Sequence, residues 1–470
     1  MVKRGLMVAS MLMISGCAVV GPNYHVPERA AINSPGAKDA FRSGSQPTEA
    51  APLPDHWWRL YDDPVLDHLI KQAVAANTDL RIADANLRRS LALLDAGGAR
   101  KALQANLDAT TSYAQRSAEA ELQHVQPPAR PIYNADISVS YDLDLFGGLK
   151  RGIEAASADV EATVAARDLV RINVAAETAR AYADICNSGY QLAVLRRAIA
   201  AQEEGIRLTQ IMVDHGRTPP FELDSRRAPL EASRARMPRI VARRQNALFR
   251  IAALEGRTPD EADIALLACH QPLVLSQPIP VGDGQALLER RPDIRMAERR
   301  LAASSARIGV ATAALYPDIR LGASAGSTGA VSDLMSPLTN RFGLGPLITW
   351  TINRHAVRAR IEAANAQEVA DLARFDGVVL NALKEVETAL NSYAAGLTQE
   401  EALEHARDAA ERVASQTSEL RHGGRVSQLE ALQAEEDLIN AEWAVAESRR
   451  AINDDQITLF LALGGGWNEI

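Results

Sequence analysis

A run of thirteen residues, from Tyr133 to Leu145, alternates strictly between apolar and polar side chains and is the strongest constraint on the fold of this chain. The odd positions are apolar, and three of the even positions are carboxylates: Asp136, Asp142 and Asp144. A period of two predicts a β-strand with one apolar face and one wet, acidic face, as in the strands of transmembrane barrels. A half-buried sheet of a soluble protein explains the pattern better if this strand stands alone.

Three weaker segments of the same kind accompany this strand, at 107–113, 319–325 and 342–352, the last interrupted by Pro346. Four strands cannot close a barrel, and a membrane tolerates no unpaired sheet edge. Three chains would supply twelve strands around a water-filled interior. The pattern therefore predicts a cyclic oligomer with a pore on its symmetry axis, lined by Asp136, Asp142 and Asp144.

The remainder of the chain reads as mostly helical and repeats itself. The segment 78–83 matches 292–297 at an offset of 214, and 153–156 matches 361–364 at an offset of 208. Near-constant offsets indicate two copies of one structural unit, each with a helix, two strands and a long helical hairpin. Apolar residues spaced three and four apart between Val379 and Leu397 predict coiled-coil-like helices that pack side by side.

The N-terminal residues predict the cellular compartment of the protein. Two basic residues, an apolar stretch at 6–14 and the sequence Ser15-Gly16-Cys17 describe an export signal that ends in a bacterial lipobox. We predict a signal peptide at 1–16 and acyl chains, palmitate among them, on Cys17, with sorting to the outer membrane because Ala18 is not an aspartate. An ordinary signal peptide that ends at a chance cysteine is the alternative. The proline-rich residues 17–55 predict an extended tether that does not fold alone.

Composition and motifs argue against several other classes of protein. A net charge of −8, with basic residues scattered along the chain, argues against nucleic-acid binding. The sequence contains no phosphate-binding loop or dinucleotide fingerprint, so we expect no enzyme and no cofactor beyond the lipid on Cys17. The nine histidines show no metal-ligand spacing, and we expect no metal site. Cys186 and Cys269 are expected to be separate thiols, because one lies on a predicted long helix and the other between the repeats.

Several short blocks, in a fixed order, carry a resemblance to a known family. They are Gly-Pro-Asn-Tyr at 21–24, Trp57-Trp58, Asp-Leu-Phe-Gly-Gly at 144–148, Arg-Arg-Pro-Asp-Ile-Arg at 290–295, Tyr316-Pro317 and Ala-Leu-Gly-Gly-Gly-Trp at 462–467. In this combination the chain resembles the TolC-like outer-membrane efflux channels, in particular their NodT-type lipoprotein branch. The resemblance implies a trimer with a twelve-stranded outer-membrane barrel, four strands from each chain, continued by a long α-helical periplasmic tunnel with a mixed α/β equatorial belt.

On this pattern the mature chain divides into the tether and two structural repeats. The first repeat is expected at 56–257, with strands at about 104–116 and 132–146. The second is expected at 286–463, with strands at about 317–328 and 341–353. An inter-repeat equatorial segment at 258–285 separates them, and residues 464–470 form a C-terminal tail.

The resemblance also implies which residues face a periplasmic adaptor, at the turns of the two hairpins. They are His215, Gly216, Arg217 and Glu222 in the first hairpin, and Gly423, Gly424, Arg425 and Glu430 in the second. At the closed aperture Gln433 stands where relatives carry an acid, and Glu435 would supply a charge nearby. Solvated helix ends are the alternative for any one of these acids. His215 and His422 are either sensors of periplasmic acidification or exposed turn residues without a role.

The function implied is that of the outer-membrane channel of a tripartite efflux system. Such a channel passes small molecules, drugs among them, from a periplasmic adaptor and an inner-membrane, proton-driven pump of the resistance-nodulation-division class. A channel for type I protein secretion, fed by an ATP-driven transporter, is the alternative within the same fold. A lipid-anchored periplasmic spacer is the second alternative, and it predicts helices without lipid-facing strands.

Overall fold

The computed structural model describes residues 19–43, 48–49, 53–119, 124–334 and 336–465, and its helices and strands occur twice in the same order. In the first half they are α1 (Pro64–Ala76), α2 (Thr78–Ala99), β1 (Gln104–Ala114), β2 (Arg130–Asp142), α3 (Gly148–Asp214) and α4 (Phe221–Leu254). In the second half they are α5 (Gly284–Arg290), α6 (Pro292–Ala313), β3 (Asp318–Ala330), β4 (Asn340–Thr349), α7 (Arg354–His422) and α8 (Gln428–Ala462). The predicted duplication and the mostly helical fold with a four-stranded sheet are confirmed. Two further strands of two residues each, Thr48–Glu49 and Ile279–Pro280, pair in parallel outside that sheet.

The chain folds into two compact units. The first contains the described residues up to Pro27 together with 86–163 and 296–375, and the second contains 28–85, 164–295 and 376 onward. Cys17 and the predicted signal peptide lie outside the described residues. None of the described helices combines the length and the apolar character needed to cross a membrane.

An antiparallel sheet in the order β1-β2-β3-β4 forms the strand part of the first unit. Ile137 in β2 lies opposite Leu107 in β1 and Ala325 in β3, and Ala325 lies opposite Phe342 in β4. Because successive side chains of a strand point to opposite faces, these four residues form one row on the same face of the sheet. Strands β1 and β4 are the edges of this sheet.

Strand β2 ends at Asp142, three residues before the alternating pattern ends. Asp144 has a φ of 40°, and its carboxylate accepts hydrogen bonds from the backbone N–H groups of Leu149 (2.8 Å) and Lys150 (2.7 Å). These N–H groups belong to the first turn of α3, which has no helical partners for them. The requirement to cap α3 therefore ends the strand, although the apolar and polar residues continue to alternate.

The largest apolar core lies in the second unit, around the short 3-10 turn Trp57–Tyr61. Trp57 and Trp58 are fully buried, and the Trp57 ring stacks on Phe460 of α8 with ring centroids 4.5 Å apart. The Trp58 indole N–H donates to Asp67 (2.9 Å), and the Tyr61 hydroxyl donates to Gln456 (3.0 Å). Hydrogen bonds of this kind reduce the cost of burying polar atoms within an aromatic core.

Cys186 and Cys269 form a disulfide in the second unit, so the expectation of two separate thiols was wrong. The segment after α4 turns back onto α3 and α4. The Arg244 guanidinium of α4 donates to the carbonyls of Leu267 (2.5 Å) and Cys269 (2.6 Å). Gly189 of α3 permits the approach, because a Cβ atom there would lie 2.3 Å from the Cys269 carbonyl oxygen. The two cysteines are 83 residues apart, and this turn of the chain brings them together.

The proline-rich tether lies on the body of the chain. In the second unit the backbone N–H of Ala31 donates to Asp376 (2.7 Å), and the Glu387 carboxylate accepts from the backbone N–H groups of Arg42 (2.8 Å) and Ser43 (3.1 Å). A segment without long helices or strands must find partners for its backbone elsewhere. Carboxylates of α7 supply those partners here.

Candidate functional site

One face of the sheet is apolar and exposed across all four strands. In the row through Ile137, the side chain of Leu107 is 72% exposed, that of Ile137 57% and that of Phe342 91%. In the next row Leu344, which is also largely exposed, lies opposite Ala323. Large apolar side chains grouped on one exposed face mark a surface that contacts another protein or a membrane.

The opposite face of the sheet is polar. Asp108, Asp136, Gly326 and Arg341 form one row, and the Arg341 guanidinium lies 2.9 Å from the Asp136 carboxylate. Gly326 stands between the two charged residues, and a Cβ atom there would lie 2.8 Å from Asp136 Oδ1. The missing side chain leaves room for the ion pair across β3.

The three carboxylates expected to line a pore occupy different environments. Asp136 lies within the polar row of the sheet. Asp142 is the last residue of β2, and its carboxylate accepts from the backbone N–H of Asp144 (2.9 Å). Asp144 follows the strand and caps α3, so its carboxylate is already engaged by two backbone donors.

A cluster of aromatic residues lies just beyond the ends of the strands in the first unit. The rings of Phe146 and Tyr316 stack with centroids 4.5 Å apart beside a cavity of about 490 Å³. The Trp350 indole N–H donates to the carbonyl of Leu315 (3.1 Å), and the Arg354 guanidinium lies 5.9 Å from the Trp350 ring centroid. Aromatic rings with polar tips are typical of the membrane–water boundary. Sequence analysis missed this cluster. The one signal for it in the sequence is that aromatic residues stand just after β2 and β4 and just before β3.

Residues 19–24, the N-terminal strap, cross the start of α3 in the first unit. The buried Arg151 guanidinium donates to the carbonyls of Val20 (3.1 Å) and Gly21 (3.2 Å) and to the side chain of Asn23 (2.8 Å). Gly21 has a φ of 88°, and a Cβ atom there would lie 2.4 Å from the Cα of Gly309 on α6. The strap is therefore held by a buried cation and by a close glycine–glycine approach.

The turns of the two helical hairpins share one geometry. In each, a glycine N–H donates to the carbonyl three residues back, and the N–H of the following arginine donates to the carbonyl five residues back, at 2.8–2.9 Å. The glycines are Gly216 (φ 68°) and Gly424 (φ 71°), and the arginines are Arg217 and Arg425. This pair of hydrogen bonds is the Schellman ending of a helix, which requires a residue that tolerates positive φ.

Both expected tip histidines contact the end of their own helix. The Nδ1 atoms of His215 and His422 each lie 2.7 Å from the carbonyl oxygen four residues back, which belongs to Ile211 and to Ser418. A carbonyl oxygen has two lone pairs, so that of Ile211 can accept both the backbone N–H of His215 (3.2 Å) and the imidazole. The geometry thus gives both histidines a local contact at the turns.

The two tip acids differ. The Glu430 carboxylate accepts from the backbone N–H of Ser427 (2.7 Å), and the Ser427 hydroxyl accepts from the backbone N–H of Glu430 (3.1 Å), which forms a capping box. The hydrogen bond from the Ser427 backbone lowers the pKa of Glu430. Helix α4 begins after Pro220 without a side-chain cap, so Glu222 has no equivalent role.

The expected aperture residues lie on the second hairpin. Gln433 is exposed and donates to Asp437 (3.2 Å), while Glu435 is exposed nearby. Sequence reasoning missed Glu436, whose pKa is raised by burial and which faces Arg226 of α4. Gly205 of α3 gives both side chains space, since a Cβ atom there would lie 3.3 Å from Arg226 Nη1. Across the described part of the chain, no group of three or more histidine, cysteine and acidic side chains is placed to hold a metal ion.

Known proteins share this arrangement along the full chain. The family model described as Outer membrane efflux protein matches residues 69–257 and again 284–465, once in each repeat. The toluene efflux pump outer membrane protein TtgC of Pseudomonas putida is 29% identical over 97% of this chain and 94% of its own. Nodulation protein T of Rhizobium leguminosarum bv. trifolii is 26% identical over 98% of this chain and 96% of its own. The probable outer membrane lipoprotein SilC of Salmonella typhimurium is 25% identical over 99% of both chains.

A solved structure of an outer-membrane channel has the same fold as this chain. The outer-membrane channel OprN superposes with a TM-score of 0.85 at 30% identity, covering 96% of this chain and 100% of that chain. The family model covers well over half of the sequence, in two copies that coincide with the two structural repeats. The chain therefore belongs to the outer membrane efflux protein family, whose members are channels of the outer membrane and not enzymes.

Proposed function

We propose that three copies of this chain form a twelve-stranded barrel, and that the trimer is the outer-membrane channel of a tripartite efflux system for small molecules. The observation that carries the proposal is the sheet of the first unit. It has one exposed apolar face, one polar face, and two edge strands that pair on one side only within the described chain. In a spacer protein of the aqueous periplasm, the exposed apolar face of this sheet would be unfavourable.

The edge strands support closure with other copies. Strand β1 has 11 residues and β4 has 10, which matches the roughly 9–11 residues that a tilted strand needs to cross a bilayer. Lipid offers no hydrogen-bond partners, so each edge must pair with another chain. Pairing of β4 with β1 of the next copy closes a ring, and twelve strands leave an aqueous interior.

In the closed barrel the polar face would line the pore. The row of Asp108, Asp136 and Arg341 then repeats three times around the lumen, with each Asp136 held by an arginine 2.9 Å away. Asp136 and Arg341 neutralise each other, so this row adds to the hydrated wall one net negative charge per copy, that of Asp108. Such a wall suits a conduit whose cargo is chosen elsewhere.

The N-terminal strap supports acylation of Cys17 as a membrane anchor. A Cβ atom at Gly147 would lie 2.5 Å from Val19 Cγ1, so the strap starts beside the aromatic cluster at the ends of the strands. Two residues span at most about 7 Å, so acyl chains on Cys17 would begin close to this cluster. If the cluster marks the boundary of the membrane, the lipid enters the same leaflet.

The hairpin turns are the proposed contact with a periplasmic adaptor, which an inner-membrane, proton-driven pump of the resistance-nodulation-division class would feed. The turns present Arg217 and Arg425 in equivalent geometry, so that a trimer would offer six similar exposed turns. TtgC is named as part of a toluene efflux pump, which favours export of small molecules over secretion of proteins. Type I secretion is the alternative that the experiment must separate.

A photo-crosslinking residue at Arg217 or at Arg425, followed by mass spectrometry, tests this function. We expect capture of a periplasmic adaptor, with its proton-driven pump recovered in the same complex. A matched probe at Leu380, which is exposed on α7 away from the turns, should not capture the adaptor. Recovery of an ATP-driven exporter would instead assign the channel to type I secretion, and capture of no envelope partner at either turn would contradict the tripartite assignment.

A further inference from the structure

The returning helices of the two hairpins carry opposite charge, although they are equivalent in the duplication. Between residues 232 and 250, α4 has six arginines and no acidic residue, in a protein whose net charge is −8. Helix α8 has eight acidic residues and only two arginines. Like charges three or four residues apart on a helix repel one another, so the basic run on α4 is unfavourable unless something neutralises it.

Three of these arginines share one face of α4. Arg236, Arg239 and Arg243 are spaced three and four residues apart and border a groove of about 530 Å³. The Arg236 guanidinium lies 5.9 Å from the ring centroid of Trp443, and Arg243 donates to Gln191 (3.3 Å). Among the described residues, none of the three forms an ion pair with a carboxylate. We call these residues the arginine face.

Other arginines of α4 have partners within the chain. Arg234 pairs with Glu203 (2.7 Å) and Glu231 (2.8 Å), and Arg250 pairs with Asp184 (3.6 Å). Arg244 donates to two backbone carbonyls. Of the residues that line the groove, Glu447 is the one carboxylate, so arginines outnumber carboxylates there by three to one. Asp184, the partner of Arg250, also lies within electrostatic reach of Arg243.

The same chain carries a complementary surface on α7. Glu401, Glu404, Asp408 and Glu411 are spaced three, four and three residues apart, and we call them the acidic face. Glu404 pairs with Arg449 (2.6 Å) and Asp408 with the adjacent Arg407 (2.5 Å). Glu401 and Glu411 are exposed and form no ion pair within the described residues.

The two faces lie at overlapping distances from their hairpin turns. Arg236 to Arg243 lie 15 to 22 residues after the start of α4, and Glu401 to Glu411 lie 11 to 21 residues before the end of α7. At 1.5 Å per residue, the arginine face is about 22–33 Å and the acidic face about 16–32 Å from its turn. If the turns of neighbouring copies lie at one level, the charges lie at one level too.

We propose that the arginine face of each copy docks on the acidic face of the next copy in the trimer. The proposal rests on the trimer proposed above, and it adds the surface that orients one copy on the next. No residue of α7 in the same chain lines the groove, so the acidic face does not neutralise the arginines internally. Each copy offers one face to each neighbour, and a contact of this head-to-tail kind closes into a ring.

Charge reversal tests the contact. Arg239→Glu with Arg243→Glu should raise the dissociation rate of the trimer about tenfold at low salt, measured by native mass spectrometry in mild detergent. The effect should shrink at high salt, because exposed charges are screened. Glu401→Arg with Asp408→Arg should have the same effect. The four changes together in one chain should restore the wild-type rate, since opposite charges then face one another again at all three contacts.

Arg217→Glu with Arg425→Glu is the matched control, because it makes the same change in charge at the hairpin turns. That variant should leave the dissociation rate unchanged. A trimer that is indifferent to both reversals, or a loss that the charge swap does not rescue, would overturn this contact and leave the channel assignment untouched. A wild-type chain that is monomeric under the same conditions would overturn the trimer, and this contact with it.

Discussion

Single glycines decide where segments of this chain approach one another, and Gly189 is the clearest case. We predict that Gly189→Ala displaces the 264–272 segment from α3, because the new Cβ would lie 2.3 Å from the Cys269 carbonyl oxygen. The variant should lose about 1–3 kcal/mol of stability, partly offset by about 1 kcal/mol of helix propensity, and should contain more free thiol in a labelling assay. Gly152→Ala on the same helix meets no atom within 4 Å and should form the disulfide normally. Equal thiol content in both variants would contradict the prediction.

The Glu430 carboxylate caps the start of α8, and its protonation should weaken that cap. The pKa of Glu430 is lowered in the folded chain by the Ser427 N–H, so its contribution is present above the ordinary carboxyl pKa and is lost as the pH falls through the lowered value. We predict that Glu430→Ala lowers the hydrogen-exchange protection of the Ser427 amide at neutral pH, and that the wild type approaches the variant in acid. Glu222→Ala should change nothing at the first turn, which has no such cap. Equal effects at both turns would show that capping is not the cause.

At the scale of elements, the two faces of the sheet should respond differently to substitution. Ile137→Arg places a charge on the apolar face and should prevent insertion of the trimer, at a cost of about 2–4 kcal/mol per chain at mid-membrane. Asp136→Leu should leave assembly intact but release Arg341, which shifts ion preference towards anions. Heat-modifiable mobility on gels measures the first effect, and planar-bilayer conductance measures the second. If both variants assembled and conducted alike, the assignment of the faces would be wrong.

Elements with a regular period were predictable, and elements that depend on long-range contacts were not. Alternation located β2, but it could not show that Asp144 leaves the strand, because its carboxylate is taken by donors of the next helix. The resemblance to the efflux channels located both hairpin turns, whose glycines share one backbone geometry. The Cys186–Cys269 bond depends on how the segment after α4 folds back, which the residues near either cysteine do not encode. The arginine face was equally hidden, since its meaning depends on which arginines the fold has already paired.

At the scale of the whole molecule, one chain leaves its sheet edges and its exposed apolar face unsatisfied, so the trimer is the unit that we expect to be stable. A barrel of twelve strands would bury the apolar face in lipid and would hold the protein in the membrane without further help. The lipid on Cys17 would then be a second attachment. It would matter most before the barrel forms, when it keeps each chain at the membrane where its partners are.

This order of events gives a prediction for Cys17→Ser. The variant should lose all labelling by radioactive palmitate and should form trimers more slowly, yet the trimers that do form should remain in the outer membrane after washing with carbonate. Arg151→Ala is the matched comparison, because it keeps Cys17 and removes the buried guanidinium that holds the N-terminal strap. That variant should keep its label and expose residues 19–27 to protease. Continued labelling of Cys17→Ser would contradict the lipobox, and release of its trimers by carbonate would show that the lipid, and not the barrel, holds the channel in place.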